Sequence, residues 1–344
     1  MATKKLQNSG DDAVDEMLDG VLAAHPEHLR RIPGARRGVV AVDGPRPGKV
    51  GLVVGGGSGH EPTFLGYVGR GLADAAAIGN VFASPPPDPA QACVRAADGG
   101  AGVIFCYGNY AGDVMNFDMA AEMADMEDGI SVRTVLTTDD IASAPLAERD
   151  KRRGVAGNFF VFKCGGAAAD QMRDLDRVEA ALRHANAHTY TVGVALGPCS
   201  LPQTLTPNFE IGADEMEIGM GIHGEPGVRR ERLRPADSVL DAMLDPILAE
   251  MAPQRGDQVA ALVNSLGATS YMELYILYRR LAWRLKDAGL ATHAAWVGPY
   301  CTSLDMAGAS VTLMRLDAEL TGLLDHPCDA AMFWSRPVLS PARS

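Results

Sequence analysis

The chain has 344 residues, 47% of them hydrophobic, and a formal net charge of −12 at pH 7. That is ample apolar material for a large buried core, and the acidic balance leaves no basic field to attract a nucleic-acid backbone, so nucleic-acid binding is set aside. No apolar run approaches the length that spans a bilayer, and residues 1–7 lead into a polar acidic stretch rather than an apolar signal core, so no membrane association and a cytoplasmic location are expected.

Residues 11–24 carry apolar side chains at Val14, Met17, Leu18, Val21 and Leu22, a helical stripe that Pro26 ends. Short continuous apolar runs follow at 50–54, 103–106, 132–136, 192–196, 259–263 and 310–314, the pattern of strands buried on both faces. Helical patterns at 116–126, 175–186 and 271–288 lie between some of them. Strands alternating with helices predict an α/β fold, read here as two α/β domains with mostly parallel or mixed sheets flanked by helices. The polar helix at 170–188 precedes a fresh strand at Thr191, which places the two domains at residues 1–188 and 189–344. Six scattered cysteines without any Cys-x-x-Cys pair read as buried reduced thiols, with no metal and no catalytic role assigned.

The first segment with chemistry in it is Gly55-Gly56-Gly57-Ser58-Gly59-His60-Glu61-Pro62, directly after a strand, at the sheet edge where open α/β folds bind ligands. It lacks the lysine of a Walker A loop. His60 reads either as a satisfied structural histidine or as a functional one. Tyr107-Gly108-Asn109-Tyr110-Ala111-Gly112-Asp113 also follows a strand, and Asp113 is either the cap of a helix starting near Val114 or Asn116, or an acid–base group. Gly219-Met220-Gly221-Ile222-His223-Gly224 matches the dinucleotide pattern by letters, but the residues before it, 214–218, are acidic rather than strand-like. Glu225-Pro226-Gly227 would also break the helix that pyrophosphate needs. His223, wedged between glycines, reads as functional. The remaining histidines, 25, 28, 184, 188, 293 and 326, sit in polar contexts and read as solvated. Two histidines and one aspartate without a serine or cysteine nucleophile leave imidazole itself to add to a ketone, with a second imidazole as donor to the oxyanion and a carboxylate as base toward a hydroxyl.

At these residues the sequence resembles the K subunit of dihydroxyacetone kinase, the DhaK family. The shared segments also include Phe82-Ala83-Ser84-Pro85, Asn109-Tyr110-Ala111-Gly112-Asp113, Val263-Asn264-Ser265-Leu266-Gly267 and Tyr300-Cys301-Thr302-Ser303-Leu304-Asp305-Met306, in order along essentially the whole chain. The resemblance implies a homodimer that binds dihydroxyacetone as a hemiaminal on His223. It makes His60 the residue that assists the adduct, Asp113 the base toward the terminal hydroxyl, and Gly57 and Ser84 part of the substrate site. It also implies a partner, a DhaL-type nucleotide-binding subunit carrying ATP or ADP with Mg, and no cofactor or metal on this chain. Many family members have lysine where this chain has Gly108; its loss is expected to open space beside the substrate and suits a tetrulose such as erythrulose. Some relatives sense ligands for regulation instead, but His60, Asp113 and His223 are all present here.

Overall fold

Uninterrupted apolar runs form the central strands of two six-stranded sheets in a computed structural model that describes residues 4–335. The chain opens with α1 (Ala13–Ala24), whose Val14 and Leu18 are buried. The first sheet is built from β1 (Leu29–Arg31), β2 (Gly38–Ala41), β3 (Gly51–Ser58), β5 (Ala75–Val81), β6 (Val103–Gly108) and β7 (Val132–Thr137), with the short β4 (Gly69–Arg70) standing outside it. Its order is β1-β2-β5-β3-β6-β7; β5, β3, β6 and β7 run parallel, and the β1–β2 ribbon is added antiparallel at one edge. The helices of this half are α2 (Pro87–Ala97), α3 (Ala111–Asp128), α4 (Asn158–Asp170) and α5 (Leu175–Ala187).

The second sheet takes β8 (Thr189–Gly197), β9 (Glu215–Ile218), β10 (Arg229–Arg232), β11 (Gln258–Ser265), β12 (Ala291–Gly298) and β13 (Ala307–Leu316) in the order β10-β9-β8-β13-β11-β12, with α6 (Ala236–Met251) and α7 (Tyr271–Asp287) packed on it. Only the β11–β12 pair is parallel. The sheets are therefore mixed, and the second is mainly antiparallel. A buried strand reads as the same apolar run whichever way its neighbour points, so direction was not encoded in the pattern.

After β13 the chain returns to the first half. Helix α8 (Ala318–Leu324) packs on α4, and β14 (Cys328–Ala330) pairs with both β4 and β15 (Trp334–Ser335) in a small third sheet. Lys163 of α4, buried, donates to the carbonyls of Leu323 and His326 and so satisfies the end of α8. Helix α4 carries no apolar stripe in its sequence because residues 158–169 are buried all round.

One expectation is corrected here. Residues 215–218, too acidic to read as a strand, form β9 with Met216, Glu217 and Ile218 buried. The charge of Glu217 is met by Arg230 at 2.7 Å and by the Gly227 N–H at 2.7 Å, which is what lets an acidic residue sit inside a sheet. No helix follows the Gly219–Gly224 segment, so the dinucleotide pattern stays a coincidence of letters. All six cysteines are free and buried.

Candidate functional site

The site is assembled from two glycine-flanked loops and a strut that touches both. Strand β3 runs on through Ser58, so Gly55 and Gly57 are strand residues placed where neighbours press close: a Cβ at Gly57 would lie 2.7 Å from the Ala83 backbone nitrogen. The chain leaves the sheet at Gly59, whose φ of +100° suits glycine. Its N–H is accepted by both oxygens of Glu61, at 3.1 and 3.0 Å. The strut, residues 300–306 between β12 and β13, seizes this loop. Leu304 N–H donates to the Gly59 carbonyl at 2.7 Å, the Thr302 hydroxyl to the Glu61 carbonyl at 3.0 Å, and His60 Nδ1–H to the Thr302 carbonyl at 2.8 Å.

The second loop lies between β9 and β10. Glu225 folds back on His223, accepting its backbone N–H at 3.0 Å and its Nδ1–H at 2.7 Å. Glycine at 221 is required for that: a Cβ there would stand 2.1 Å from Glu225 Oε2 and 2.6 Å from Arg153 Nη1. Arg153 is itself held by Asp140 at 2.7 Å and by the Gly219 carbonyl at 2.9 Å. The Asn208 amide donates to the His223 carbonyl at 2.9 Å, and the Ser303 hydroxyl of the strut donates to the carbonyl of Ile222.

The two loops bring His60 Nε2 to 2.9 Å from His223 Nε2. The outer nitrogens of the pair face acceptors only, a carbonyl on His60 and a carboxylate on His223, so both are N–H. A hydrogen bond between the two Nε2 atoms then needs a third proton, and the pair carries one positive charge that the Glu225 carboxylate balances. Burial and then the His223 charge push the pKa of His60 down to about 3, so the buried His60 ring disfavours holding an extra proton. Burial raises the Glu225 carboxyl, but the bond and the charge of His223 outweigh it and bring its pKa to about 2.

Asp113 stands in the first turn of α3, whose N-cap is Tyr110; its side chain caps nothing, and its Oδ1 is buried without a hydrogen-bond partner. Burial raises its pKa to about 6, against a hydrogen bond from Ser84 and the nearby His223 charge. Ser84 is positioned in turn by the Asn116 amide, which reaches Ser84 Oγ at 3.2 Å and the Pro85 carbonyl at 2.9 Å.

The direction in which a side chain at 108 would point is already filled: a Cβ at Gly108 would lie 3.0 Å from the Tyr110 ring and 3.1 Å from the Gly154 carbonyl. The glycine lets the Tyr110 ring and the Gly154 carbonyl approach closely. That Tyr110 ring meets His223 edge-on, 4.7 Å between centroids.

The two thiols near the loops do not compete as nucleophiles. Burial raises the Cys199 thiol to about 11 and the Cys301 thiol to about 12, so both stay protonated. The histidines read as solvated are mostly tied down instead: His28 to Asp329, His184 to Asp317, His293 to Asp325 and His326 to Asp170, while His188 bonds the His184 carbonyl. Sequence reasoning assigned no role to Thr302, Ser303, Phe82 or Tyr110. Their only signal was membership of the segments shared with the family.

The Dak1 domain matches residues 19–332. A protein from Listeria innocua named as the dihydroxyacetone-binding subunit DhaK of a PTS-dependent dihydroxyacetone kinase is 49% identical over 330 residues, covering 96% of this chain and 99% of its own. A protein from Mycolicibacterium smegmatis named L-erythrulose 1-kinase is 45% identical over 98% of this chain but only 57% of its own length. Among solved structures, the dihydroxyacetone kinase of C. freundii in complex with AMP-PNP and Mg2+ superposes with a TM-score of 0.87 and 34% identity, over 98% of this chain and 62% of that one.

Proposed function

This chain belongs to the Dak1 family, and from that premise we propose that it is the ketose-binding, catalytic subunit of a dihydroxyacetone kinase, a phosphotransferase with an alcohol group as acceptor. The observation that carries the mechanism is the 2.9 Å Nε2–Nε2 contact of His60 and His223, across which we infer one shared proton. That proton passes from His223 to His60, which frees the His223 lone pair to add to C2 of the ketone. The C=O π electrons move to oxygen, which takes the proton from His60. His223 becomes an alkylated imidazolium against Glu225 and His60 returns to neutral, so one positive charge is present throughout and no solvent proton is needed.

The bound ketose presents its terminal hydroxyl to Asp113. The unpartnered Oδ1 accepts the hydroxyl proton as that oxygen attacks the phosphoryl group. The phosphoryl group comes from a nucleotide on a separate DhaL-type subunit; two of the relatives that extend beyond this chain, at 57% and 62% coverage, have the additional length to hold such a site. Gly57 and Gly108 shape the pocket by letting the Ala83 backbone and the Tyr110 ring close in, and Ser84 positions Asp113. We place the domain boundary between His188 and Thr189, with the segment after residue 317 returning to the first domain. No helix among the described residues is long and apolar enough to cross a membrane, in keeping with the proposed cytoplasmic location; a homodimer is the proposed assembly.

The test is a crystal soaked with dihydroxyacetone, in which continuous density joins His223 Nε2 to C2. A ketone held there without a bond overturns the covalent step. ATP turnover by this chain alone overturns the need for a second subunit. The name of the M. smegmatis relative supports a second reading, erythrulose as the acceptor, which a coupled assay of the two ketoses with an added DhaL-type subunit decides.

A further inference from the structure

Phe82 is one of five non-glycine residues with positive φ among those described, at +55°, and it sits at the site. An aromatic residue held in the left-handed region is disfavoured by its own Cβ and persists only where its surroundings over-determine it. Its N–H is fixed to the Ser58 carbonyl at 3.0 Å. The consequence of the backbone setting is where the ring goes. It lies face to face with His60, 5.0 Å between centroids and 15° between planes, and edge-on to His223 at 5.3 Å and 75°. Gly59 leaves room for it: a Cβ there would meet Phe82 Cε1 at 2.8 Å. Leu304, at a φ of +53°, closes on the same place, with Cδ2 3.2 Å from that point. Two residues in a disfavoured backbone conformation, one from each half of the chain, thus close on the glycine that precedes His60.

We propose that Phe82 is a positioning residue for the His60–His223 pair, whose ring holds the His60 imidazole in the plane that aims Nε2 at His223 and stabilises the protonated His60 through its π face during carbonyl addition. The proposal rests on the adduct reading above. An imidazolium over an aromatic face is attracted to the ring quadrupole, more strongly in a desolvated site. Protonated His60 is the state from which His223 attacks, and burial works against it; the stacked aromatic face favours it without supplying a competing acceptor. The charged and titratable groups that bear on the pair are Glu225 and Arg153 beside His223, Asp113 across from it, and Glu61 on His60's own loop.

The experiment follows [2-13C]dihydroxyacetone binding to the full-length protein by NMR, where addition converts a ketone carbon to a tetrahedral one, across pH 5 to 9. Phe82→Tyr keeps the aromatic face and is expected to form the adduct at the wild-type rate. Phe82→Leu is expected to slow adduct formation at least tenfold and to displace its pH profile to lower pH. Phe82→Gly relieves the backbone and removes the ring; its adduct rate falls with that of Phe82→Leu, while its melting temperature does not fall below that variant's. A Phe82→Leu protein with wild-type rate and pH profile overturns the proposal, and so does recovery of the rate in Phe82→Gly, which would assign the effect to the backbone. A wild-type protein whose bound ketone stays a ketone overturns the adduct reading itself, an outcome distinct from the other two.

Discussion

His60 and His223, 163 positions apart, meet through their Nε2 atoms at 2.9 Å, each held from behind by an acceptor. The contact is unequal. Glu61 bonds only the backbone of its own loop, whereas Glu225 bonds both the backbone and the ring of its histidine, so a carboxylate faces the ring of His223 and none bonds the ring of His60.

Replacing His223 with Gln removes the attacking nitrogen while keeping an amide of similar reach. Intact-mass and ketone-binding measurements should show no covalent ketose, and phosphoryl transfer in the presence of a DhaL-type subunit should fall by about 10³-fold or more.

Replacing Asp113 with Asn should separate the two steps. The ketose adduct still forms, while product formation falls by about 10²- to 10⁴-fold, the usual range for loss of a general base. Loss of the adduct in this variant would assign Asp113 to binding instead.

The rate should rise with pH through about 6, because burial raises Asp113 to that value and only its ionised form accepts the hydroxyl proton. Below that pH the carboxyl is protonated and the base is lost. The Asp113→Asn protein should lack this acidic limb when its residual rate is measured across the same range.

Glu225→Gln leaves a hydrogen-bond acceptor but removes the counter-charge. A charge-assisted bond contributes about 1.5–3 kcal/mol, so the ketose should bind roughly 10- to 100-fold more weakly, with kcat changed less than KM. Equal loss in both terms would place Glu225 in the phosphoryl step.

Gly57→Ala tests the close approach of the two segments, since its Cβ would lie 2.7 Å from the Ala83 backbone nitrogen. Backbone cannot yield as a side chain can, and a loss of about 1–3 kcal/mol in unfolding free energy is expected from a denaturant titration, together with weaker ketose binding as Ser84 is displaced.

Much of the site was legible because its residues break local rules. More glycines crowd around His60 and His223 than a plain turn requires, and the segment that ends in Asp113 starts at the end of a buried strand. Neither the partner of each imidazole nor the strut could be read. Thr302 acts through its backbone carbonyl, which any residue possesses, and Phe82 acts through a φ angle that its side chain does not announce. Strand β9 was missed because Glu217 looks like a surface residue until Arg230 and Gly227 are brought beside it. The sequence left open whether the sheets are parallel or mixed, because direction is decided by which strands become neighbours, not by any one of them.

The return of the chain after β13 bears on how the protein comes apart. Between them, α8 on α4, Lys163 at the end of α8, β14 on β4, and residues 302–304 on the His60 loop stitch the second half to the first at several points. With the described residues joining the halves at all these points, calorimetry should record a single cooperative transition, and protease should find no stable half-molecule to release. The histidine pair is then as durable as the whole chain, and is lost only when everything is.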